Sequence, residues 1–387
     1  MDLTSLFKQV FNKDVEAIYR APARVNLIGE HIDYNGGKVL PCAISCYIKG
    51  LVSKREDGLI LAYSTNYSNT FSCSIKNINY FKENDWSNYV FGVFDILKQE
   101  RYSIPFGLNI LLDSNIPLGS GLSSSAALLD LVLYIANDMY NLNLDLKTIA
   151  RLAQKTENEF CGLKCGIMDQ AAIALGKKDK AILLDCNRFE CEYQDIDLGE
   201  YSFVILKTNT PRNLVDSKYN ERVEECQKAL SLVKSRLNVN TLCELKTNQL
   251  EEVKELIDDE LVYKRVRHVV TENDRVNRFM SALEKKDIKE LGNLLNQSHQ
   301  SLKEDYEVTG LYLDSIVEAA LESNAVGARM TGAGFGGCAI ALIRTIEFPQ
   351  FKRKVESIYY QKTGINPEVF QVDIVDGPTK INRLLNV

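Results

Sequence analysis

Asn115-Ile-Pro-Leu-Gly-Ser-Gly-Leu-Ser-Ser-Ser-Ala-Ala-Leu128 is the stretch from which the rest of the chain can be interpreted. Its glycines allow a tight turn and a close approach of the backbone to a ligand. The serines from Ser123 to Ser125 predict helix-capping hydroxyls, and residues 126–140 predict a largely buried helix. Free N–H groups and the positive dipole end make a helix N-terminus an anion site, so the segment predicts a loop that binds polyphosphate. An ordinary capped core helix is the alternative.

This loop differs from two familiar phosphate-binding loops. The sequence has no Gly-x-x-x-x-Gly-Lys-Ser/Thr motif, so no P-loop lysine stands at the helix start. The segment also lacks the strand, the Gly-x-Gly-x-x-Gly pattern and the later acidic residue of a dinucleotide fold. A phosphate site here therefore has to use backbone N–H groups, hydroxyls and a metal ion.

Length and composition predict a soluble, cytoplasmic protein of two domains or one large one. The chain has 387 residues, 45% hydrophobic and 25% charged, with a net charge of −6 that argues against a general nucleic-acid binder. No apolar run is long enough to span a membrane, and the first residues lack a signal-peptide core. The ten cysteines lack zinc-type spacing and accompany only three histidines, so we expect free thiols rather than a zinc site.

A second unusual cluster is Arg24-Val-Asn-Leu-Ile-Gly-Glu-His-Ile-Asp-Tyr-Asn-Gly-Gly37. Arg24, Glu30, His31 and Asp33 alternate there with apolar residues and glycines, although charged side chains are rarely buried unless paired or liganded. One interpretation is a turn with a solvated salt bridge. The other is a polar pocket that binds a hydroxyl-rich ligand, because carboxylates accept strong hydrogen bonds from sugar hydroxyls.

Two further signals allow two interpretations each. Trp86 and Tyr89 lie one helical turn apart and predict either a core pair or the walls of an adenine site. Asp169 follows a Gly-bearing turn, where a single carboxylate is usually a helix cap. Beside a phosphate loop, the same carboxylate could orient or deprotonate an acceptor hydroxyl.

Periodicity predicts both helices and strands in each half, with a domain boundary near residue 200 that separates 1–200 from 201–387. Strands are predicted within 18–28, 39–52, 59–63, 70–75, 181–184 and 201–206, and helices over 1–16, 126–140, 146–160, 218–236 and most of 249–304. The charges of the later helices are interpreted as solvated faces, and His268 and His299 as structural or surface residues. Residues 327–343 place glycines before a strand and predict a lid or wall of the nucleotide site.

The three Gly-rich segments, in this order, resemble the GHMP small-molecule kinases and, within them, the galactokinase family. The 24–34 cluster matches the galactokinase signature almost residue for residue, although Thr is commoner where Ile32 stands. The departures are Val308-Thr-Gly-Leu, where many members have Ser-Cys-Pro, and Ala171 and Ala172, which replace bulkier residues. Further matches are Cys165-Gly-Ile-Met-Asp-Gln170, Arg265-Val-Arg-His-Val-Val270 and Ser298-His-Gln-Ser-Leu-Lys-Glu-Asp-Tyr-Glu-Val308.

The resemblance implies an α+β fold with two domains, an N-terminal ribosomal-S5-like domain and a C-terminal α+β domain, with the active site between them. It implies that Asp169 acts on the sugar's C1 hydroxyl as base or orienting group, with Arg24 as its partner. Its implied sugar-binding residues are Glu30, His31, Asp33, Gly166 and Tyr219. Its implied nucleotide-binding residues are Gly119, Ser120, Gly121, Leu122, Ser123, Ser124 and Ser125 at the phosphates, with Trp86 and Tyr89 at the adenine. Its implied Mg²⁺ ligands are Ser125 and Glu157.

The implied reaction transfers the γ-phosphoryl group of ATP to the anomeric hydroxyl of galactose, giving galactose 1-phosphate. A kinase for N-acetylgalactosamine or a related sugar is one alternative, because small residues at Ala171 and Ala172 could leave room near C2. A non-catalytic galactose sensor is the other alternative, although the serine loop and Asp169 are intact. We expect a monomer whose partners are galactose and ATP, with no nucleic acid and no membrane.

Overall fold

A computed structural model describes residues 2–82, 85–210 and 215–381 of the chain. Helices and antiparallel sheets occur in both halves, which confirms the predicted α+β class. The α-helices in this part of the chain are α1 (Leu3–Phe11), α2 (Asp85–Gln99), α3 (Ser124–Tyr140), α4 (Leu146–Lys155), α5 (Met168–Ala174), α6 (Val215–Val233), α7 (Leu250–Leu256), α8 (Glu260–Glu284), α9 (Ile288–Glu304), α10 (Gly310–Glu322) and α11 (Phe348–Thr363). The strands are β1 (Ala17–Asn26), β2 (Lys38–Val39), β3 (Pro41–Arg55), β4 (Leu59–Ser64), β5 (Asn69–Ser74), β6 (Gly107–Ser114), β7 (Lys180–Asp185), β8 (Glu190–Asp195), β9 (Tyr201–Lys207), β10 (Gly327–Thr331), β11 (Cys338–Arg344), β12 (Glu368–Gln371) and β13 (Thr379–Lys380).

The largest sheet has the strand order β13-β1-β3-β6-β4-β5. Adjacent strands in this sheet are antiparallel, except that β4 and β6 run parallel to each other. Pro41 begins β3 opposite Asn26 at the end of β1, a position where the missing N–H of proline costs little. The central helix α3 crosses β1 and β3 and is covered on its other sides by α2, α4 and α5. This enclosure explains why most residues of α3 between Ala126 and Ala136 are apolar and buried.

Asp130 is an exception within α3, because its carboxyl group is fully buried. Neither of its carboxylate oxygens has a hydrogen-bond partner within the described part of the chain. Burial, and then the nearby charges of Glu157 and Asp169, raise the pKa of Asp130 well above its usual range. Burial in α3 therefore disfavours the charged form of the Asp130 carboxyl.

The second sheet is antiparallel, in the order β10-β11-β9-β12. α10 and α11 pack together, and their apolar residues form a separate core with this sheet around Ile316, Val355 and Tyr359. α9 lies against β10, where the backbones of Gly292 and Gly327 are in direct contact. The segment between β10 and β11 is a glycine-rich hairpin loop, residues 332–337, named here the hairpin loop.

The halves of the chain are not independent in space. The largest buried cluster contains residues from both, such as Leu27 and Val276, and β13 returns to pair with β1 of the first sheet. The division at residue 200 remains a prediction. All ten cysteines are free thiols, as expected. None of the helices in the described part of the chain combines the length and hydropathy that a bilayer-spanning segment needs.

Several predicted elements have different boundaries in the structure. The helix predicted over 1–16 is α1, which ends at Phe11, and Met1 lies outside the described residues. The helix predicted over 146–160 is α4 up to Lys155, followed by one π-helical turn, Thr156–Phe160. The region 249–304 contains three helices, α7, α8 and α9, because each of the last two begins at a new aspartate cap.

The interpretation of the later helix charges as solvated is wrong for Arg265 on α8. Its side chain is only 1% exposed and donates hydrogen bonds to Glu225 and Glu307 at 2.7 and 2.9 Å. A third bond joins its Nη1 to the carbonyl oxygen of Asp305. Arg265 therefore connects α6 and α8 with the turn that follows α9, and a helical charge period alone does not reveal such a partner.

Candidate active site

The three Gly-rich segments meet at one cleft in the structure. The cleft is lined by side chains or backbone of Arg24, Glu30, His31, Asp33, Gly119, Ser120, Gly121, Ser123, Ser124, Ser125, Glu157, Gly166, Asp169, Tyr219, Gly332 and Ala333, among others. Of the predicted loop, Leu122 points away and is fully buried. Its carbonyl oxygen accepts a hydrogen bond from the backbone N–H of Arg24, at 3.2 Å, so Leu122 anchors the loop to β1.

Arg24 and Asp169 form the polar centre of the cleft. Arg24 Nε and Nη2 donate to the two carboxylate oxygens of Asp169 at 2.8 and 3.0 Å, a bidentate pair. The third group, Nη1, donates to the carbonyl oxygen of Gly121 at 2.7 Å. Burial alone would lower the pKa of Arg24, but the charges of Asp169 and Glu30 outweigh it and raise that pKa. Arg24 is therefore a fixed cation between the Asp169 carboxylate and the loop that precedes α3.

Ser123 has a different role from the predicted helix cap. Its backbone is left-handed, with φ of 62°, and its side chain makes no capping hydrogen bond to α3. The hydroxyl donates instead to the Asp169 carboxylate. A positive φ is uncommon for a residue with a side chain and costs about 1–3 kcal/mol. The loop thus holds an unfavourable backbone conformation that directs the hydroxyl toward the cleft.

The predicted tight turn is confirmed at Gly119 and Gly121, whose φ values are 65° and 75°. Side chains are disfavoured there, so the segment can bend before α3 begins. Ser120 accepts a hydrogen bond from the N–H of Leu122 and closes this turn.

Glu30 lies at the base of the cleft and is only 1% exposed. Its Oε1 accepts hydrogen bonds from the N–H of Gly332 at 2.7 Å and from Thr331 Oγ at 2.9 Å. Arg329 Nη2 is 3.2 Å from the same oxygen. The hairpin loop is therefore held by the 24–37 cluster, and it forms a wall of the cleft beside Glu30 and His31 rather than beside Trp86 and Tyr89.

Asp33 and Gly166 approach each other closely across the cleft. A Cβ atom built on Gly166 would lie 2.0 Å from Asp33 Oδ2, so a larger residue at this position would displace the Asp33 carboxyl. Burial, and then the charges of Asp169 and Glu30, raise the pKa of Asp33 to about 7. The Asp33 carboxyl can therefore donate or accept hydrogen bonds near neutral pH.

His31 and Tyr219 complete this side of the cleft, with ring centroids 5.8 Å apart. His31 has a left-handed backbone, with φ of 61°. Burial, and then the neighbouring His268, lower the pKa of His31 to about 3, so its imidazole is neutral at physiological pH. The other two histidines are structural, as predicted. His268 Nε2 lies 3.1 Å from the carbonyl oxygen of Glu30, and His299 Nδ1 accepts from the N–H of Met330.

Glu157 and Ser125, the predicted metal ligands, lie next to each other. The π-helical turn after α4 carries Glu157, whose carboxylate is hydrogen-bonded to Ser125 and to Gln170. Burial, and then the charge of Asp169, raise the pKa of Glu157, so a nearby cation would stabilise its ionised form. A hydroxyl and a carboxylate are hard-oxygen donors that fit Mg²⁺, provided that phosphate oxygens and water complete the octahedron.

A second cleft adjoins the first and shares Ser124 and Ser125 with it. Trp86 and Tyr89 line this cleft, and both are partly exposed, so they are not a fully buried core pair. Tyr67 stacks on Trp86, with ring planes 6° apart and centroids at 6.3 Å. The flat walls can hold a planar base, and their position next to the serine loop agrees with the predicted order of base and phosphates.

Ala171 and Ala172 contradict the argument for extra sugar space. Both are fully buried in α5 and neither lines the cleft, so their small size opens no additional room at its surface. The sequence also did not indicate that the Ser123 hydroxyl contacts Asp169, that Arg329 reaches Glu30, or that Tyr67 stacks on Trp86. The first two contacts join residues far apart in sequence, so no local pattern indicates them. For the third, the aromatic side chain of Tyr67 near Trp86 in sequence was the available signal.

Comparisons with known proteins agree with this arrangement. The sequence pattern described as "GHMP kinases N terminal domain" matches residues 88–177, and "GHMP kinases C terminal" matches residues 279–361. The "Galactokinase galactose-binding signature" matches residues 5–54, which include Arg24, Glu30, His31 and Asp33. The chain is 45% identical to a galactokinase of Clostridium acetobutylicum over 383 residues, with 98% of each chain covered. The chain belongs to the galactokinases.

Solved structures support the same assignment. The structure of Lactococcus lactis galactokinase complexed with galactose matches with a TM-score of 0.95 and 42% identity, over 98% of this chain and 99% of that one. Mevalonate kinase of Methanococcus jannaschii matches with a TM-score of 0.65 at 20% identity, over 93% of this chain and 98% of that one, which shows a shared fold. The predicted two-domain GHMP kinase fold is confirmed, and the chain is a phosphoryl-transferring enzyme.

Proposed function

We propose that the chain transfers the γ-phosphoryl group of ATP to the anomeric hydroxyl of galactose, giving galactose 1-phosphate. The observation that carries this proposal is the position of Asp169. Its carboxylate lies between the Arg24 guanidinium and the serine loop, and Asp33 faces the same cleft. An acceptor hydroxyl at Asp169 would be close both to a carboxylate and to phosphates bound by the loop.

Asp169 supplies a carboxylate that can align the acceptor hydroxyl or remove its proton as attack begins. Arg24 and Ser123 restrict its rotation, because they occupy both carboxylate oxygens with hydrogen bonds. Phosphoryl transfer depends mainly on positioning and on neutralising charge, so a rigid carboxylate and a fixed guanidinium match its requirements. Glu30, His31, Asp33, Gly166 and Tyr219 are proposed to hold the sugar.

We propose Gly119 to Ser125 as the phosphate site, and Trp86 and Tyr89 as walls of the adenine site. Ser125 and Glu157 would hold Mg²⁺, which would neutralise phosphate charge when bound. The Ser125 side is shared by both clefts, which supports a nucleotide lying across them. A monomeric state and a cytoplasmic location remain predictions from the sequence. Size-exclusion chromatography with light scattering tests the monomeric state.

The experiment is ADP release from Mg-ATP with galactose, N-acetylgalactosamine, glucose or arabinose, for the wild type and Asp169→Asn. We expect galactose-dependent release, a loss of kcat of about 10²- to 10⁴-fold in the variant, and a sugar affinity within about tenfold. Asp14→Asn is the control, because Asp14 is exposed and paired with Lys8 far from the cleft.

Each other result has a clear meaning. Release with a different sugar would retain the kinase and change its substrate. Galactose binding without ADP release would indicate a sensor, and full turnover by Asp169→Asn would refute the role given to Asp169.

A further inference from the structure

A chain of hydrogen bonds extends from the cleft into the protein interior behind His31. His31 Nδ1 is 2.9 Å from the hydroxyl of Tyr34, and this hydroxyl is 2.7 Å from that of Tyr306. The Tyr306 hydroxyl is in turn 3.2 Å from Cys226 Sγ. Tyr306 and Cys226 are almost completely buried, so bulk water does not compete for the hydrogen bonds of their hydroxyl and thiol groups. The opposite ring nitrogen, His31 Nε2, is 3.2 Å from the carbonyl oxygen of Ala333 in the hairpin loop.

The carbonyl oxygen of Ala333 decides the direction of every bond in this chain. A carbonyl can only accept, so His31 Nε2 must carry the proton. The imidazole is neutral, because burial lowers the pKa of His31 to about 3, and Nδ1 therefore lacks a proton and accepts. The single hydroxyl proton of Tyr34 then goes to Nδ1, that of Tyr306 goes to Tyr34, and the thiol of Cys226 donates to Tyr306.

We propose that Tyr34 and Tyr306 are positioning residues that hold His31 as the Nε2–H tautomer. This tautomer places the single N–H of His31 at the cleft wall, where it donates to the carbonyl oxygen of Ala333, and an oxygen atom of a bound sugar would share this proton or take the place of that carbonyl. The inference rests on the proposed sugar site and adds to it two phenols, that of the partly buried Tyr34 and that of the fully buried Tyr306. The backbone of His31 has the uncommon positive φ of 61°, and its ring lies between Tyr34 and the hairpin loop.

The two phenols have unequal effects in this arrangement. Tyr34→Phe removes the donor to Nδ1 and leaves the Ala333 carbonyl as the one contact that favours a proton on Nε2, so the Nε2–H tautomer is favoured less strongly. Tyr306→Phe leaves the Tyr34 hydroxyl free to donate to Nδ1 and removes only its support. Each buried hydrogen bond lost corresponds to about a tenfold change in an equilibrium constant. We therefore expect KM for galactose to rise about tenfold in Tyr34→Phe and about threefold in Tyr306→Phe.

Tyr359→Phe is the matched control. The Tyr359 hydroxyl is also buried and donates to a carbonyl, that of Thr208, but it belongs to the separate core of the second sheet. We expect the control to lower thermal stability and to leave KM for galactose within twofold. A rise in KM for galactose equal to that of Tyr34→Phe in the control, or no rise in Tyr34→Phe, would overturn the proposal.

His31→Gln gives a second kinetic test, because a glutamine amide places a donor near the position of Nε2 without needing a tautomer. In that background the Tyr34→Phe substitution should not raise KM for galactose further, since there is no imidazole left for the Tyr34 hydroxyl to orient. If Tyr34→Phe still raised KM for galactose tenfold in the His31→Gln background, Tyr34 would not act through His31 and would have a separate role.

The tautomer can also be observed directly, because the chain has only three histidines. In ¹⁵N-histidine-labelled protein, with His31→Gln used for assignment, His31 should show a pyrrole-like Nε2 and a pyridine-like Nδ1. Tyr34→Phe should raise the fraction of the Nδ1–H form, so that the two nitrogen shifts move toward each other, while the Ala333 carbonyl still favours a proton on Nε2. A pyrrole-like Nδ1 in the wild type would refute the proposal. This measurement needs no turnover, so it tests the tautomer of His31 even if galactose proves not to be the substrate.

Discussion

Asp33 shows how a single residue can link the electrostatics of the cleft to pH. Four carboxyl groups, those of Glu30, Asp33, Glu157 and Asp169, line one cleft, and Arg24 pairs directly with only the last of them. Burial and the two neighbouring charges raise the pKa of Asp33 from 3.8 to about 7. The folded protein therefore binds this proton more tightly than the unfolded chain does.

Two consequences follow for Asp33. The contribution of its proton to stability is complete below about pH 4 and is lost as pH rises toward 7. If the ionised form is the one that accepts sugar hydroxyls, kcat/KM for galactose should rise between pH 6 and pH 8, with a midpoint near 7. A pH series on the wild type and Asp33→Asn measures this, and the variant should lose both affinity and the midpoint. An unchanged midpoint in Asp33→Asn would assign the titration to another group.

At the scale of single elements, the cleft depends on how segments end. The loop before α3 ends in a left-handed Ser123, and α4 ends in a π-helical turn that carries Glu157. Both are irregular backbone conformations, and such features often occur at functional sites. They bring a hydroxyl and a carboxylate to the cleft that a regular helix would direct elsewhere.

The contact between α9 and β10 positions the hairpin loop. A single substitution at this contact can test its importance. A Cβ atom on Gly327 would lie 2.1 Å from the carbonyl oxygen of Gly292, so Gly327→Ala must separate the helix from the strand. We expect a destabilisation of about 2–3 kcal/mol, measured as a lower Tm, together with a higher KM for galactose. Gly199→Ala is the control, because open space surrounds Gly199 and only its positive φ of 59° opposes a side chain. Equal losses of Tm would refute the packing argument.

At the scale of the whole molecule, Arg329 joins the two halves of the chain. This β10 residue is fully buried and donates to the carbonyl oxygens of Leu27 and Asn26 and to Glu30. The same carboxylate holds the hairpin loop, so one guanidinium connects the end of β1, the base of the cleft and the second sheet. A hydrogen-bonded charge in such a position is costly to remove, because its partners stay buried and unpaired.

Arg329→Met should therefore lower the free energy of unfolding by about 3–5 kcal/mol and reduce galactose affinity at the same time. Differential scanning calorimetry and sugar titration measure the two effects. Arg344→Met is the control, since Arg344 lies on β11 of the same sheet but pairs with Glu200 in exposed surroundings. Its substitution should leave both quantities nearly unchanged. A stable Arg329→Met with normal affinity would show that the halves do not depend on this residue.

Much of this protein could be predicted from local patterns. The buried helix α3, the turn at Gly119 and Gly121 and most strands follow from periodicity and glycine placement, and the motif order identified the family. The site residues were also recognisable, because Arg24, Glu30, His31 and Asp33 are an unusual set within ten residues. The helix ends and the breaks in 249–304 were less predictable, because caps and π-turns depend on a few local hydrogen bonds.

The sequence by itself determined the fold family, the segments that form the cleft and the residue types available there, because these depend on neighbours along the chain. Only the tertiary structure decided how those groups are used. Ser123 donates to Asp169 instead of capping α3, Arg265 is buried, and Ala171 and Ala172 are buried and do not line the cleft. The proton of His31 is directed by Tyr34 and by the carbonyl oxygen of Ala333, 302 residues later. Hydrogen-bond direction and burial are properties of three-dimensional neighbours, so no local pattern encodes them.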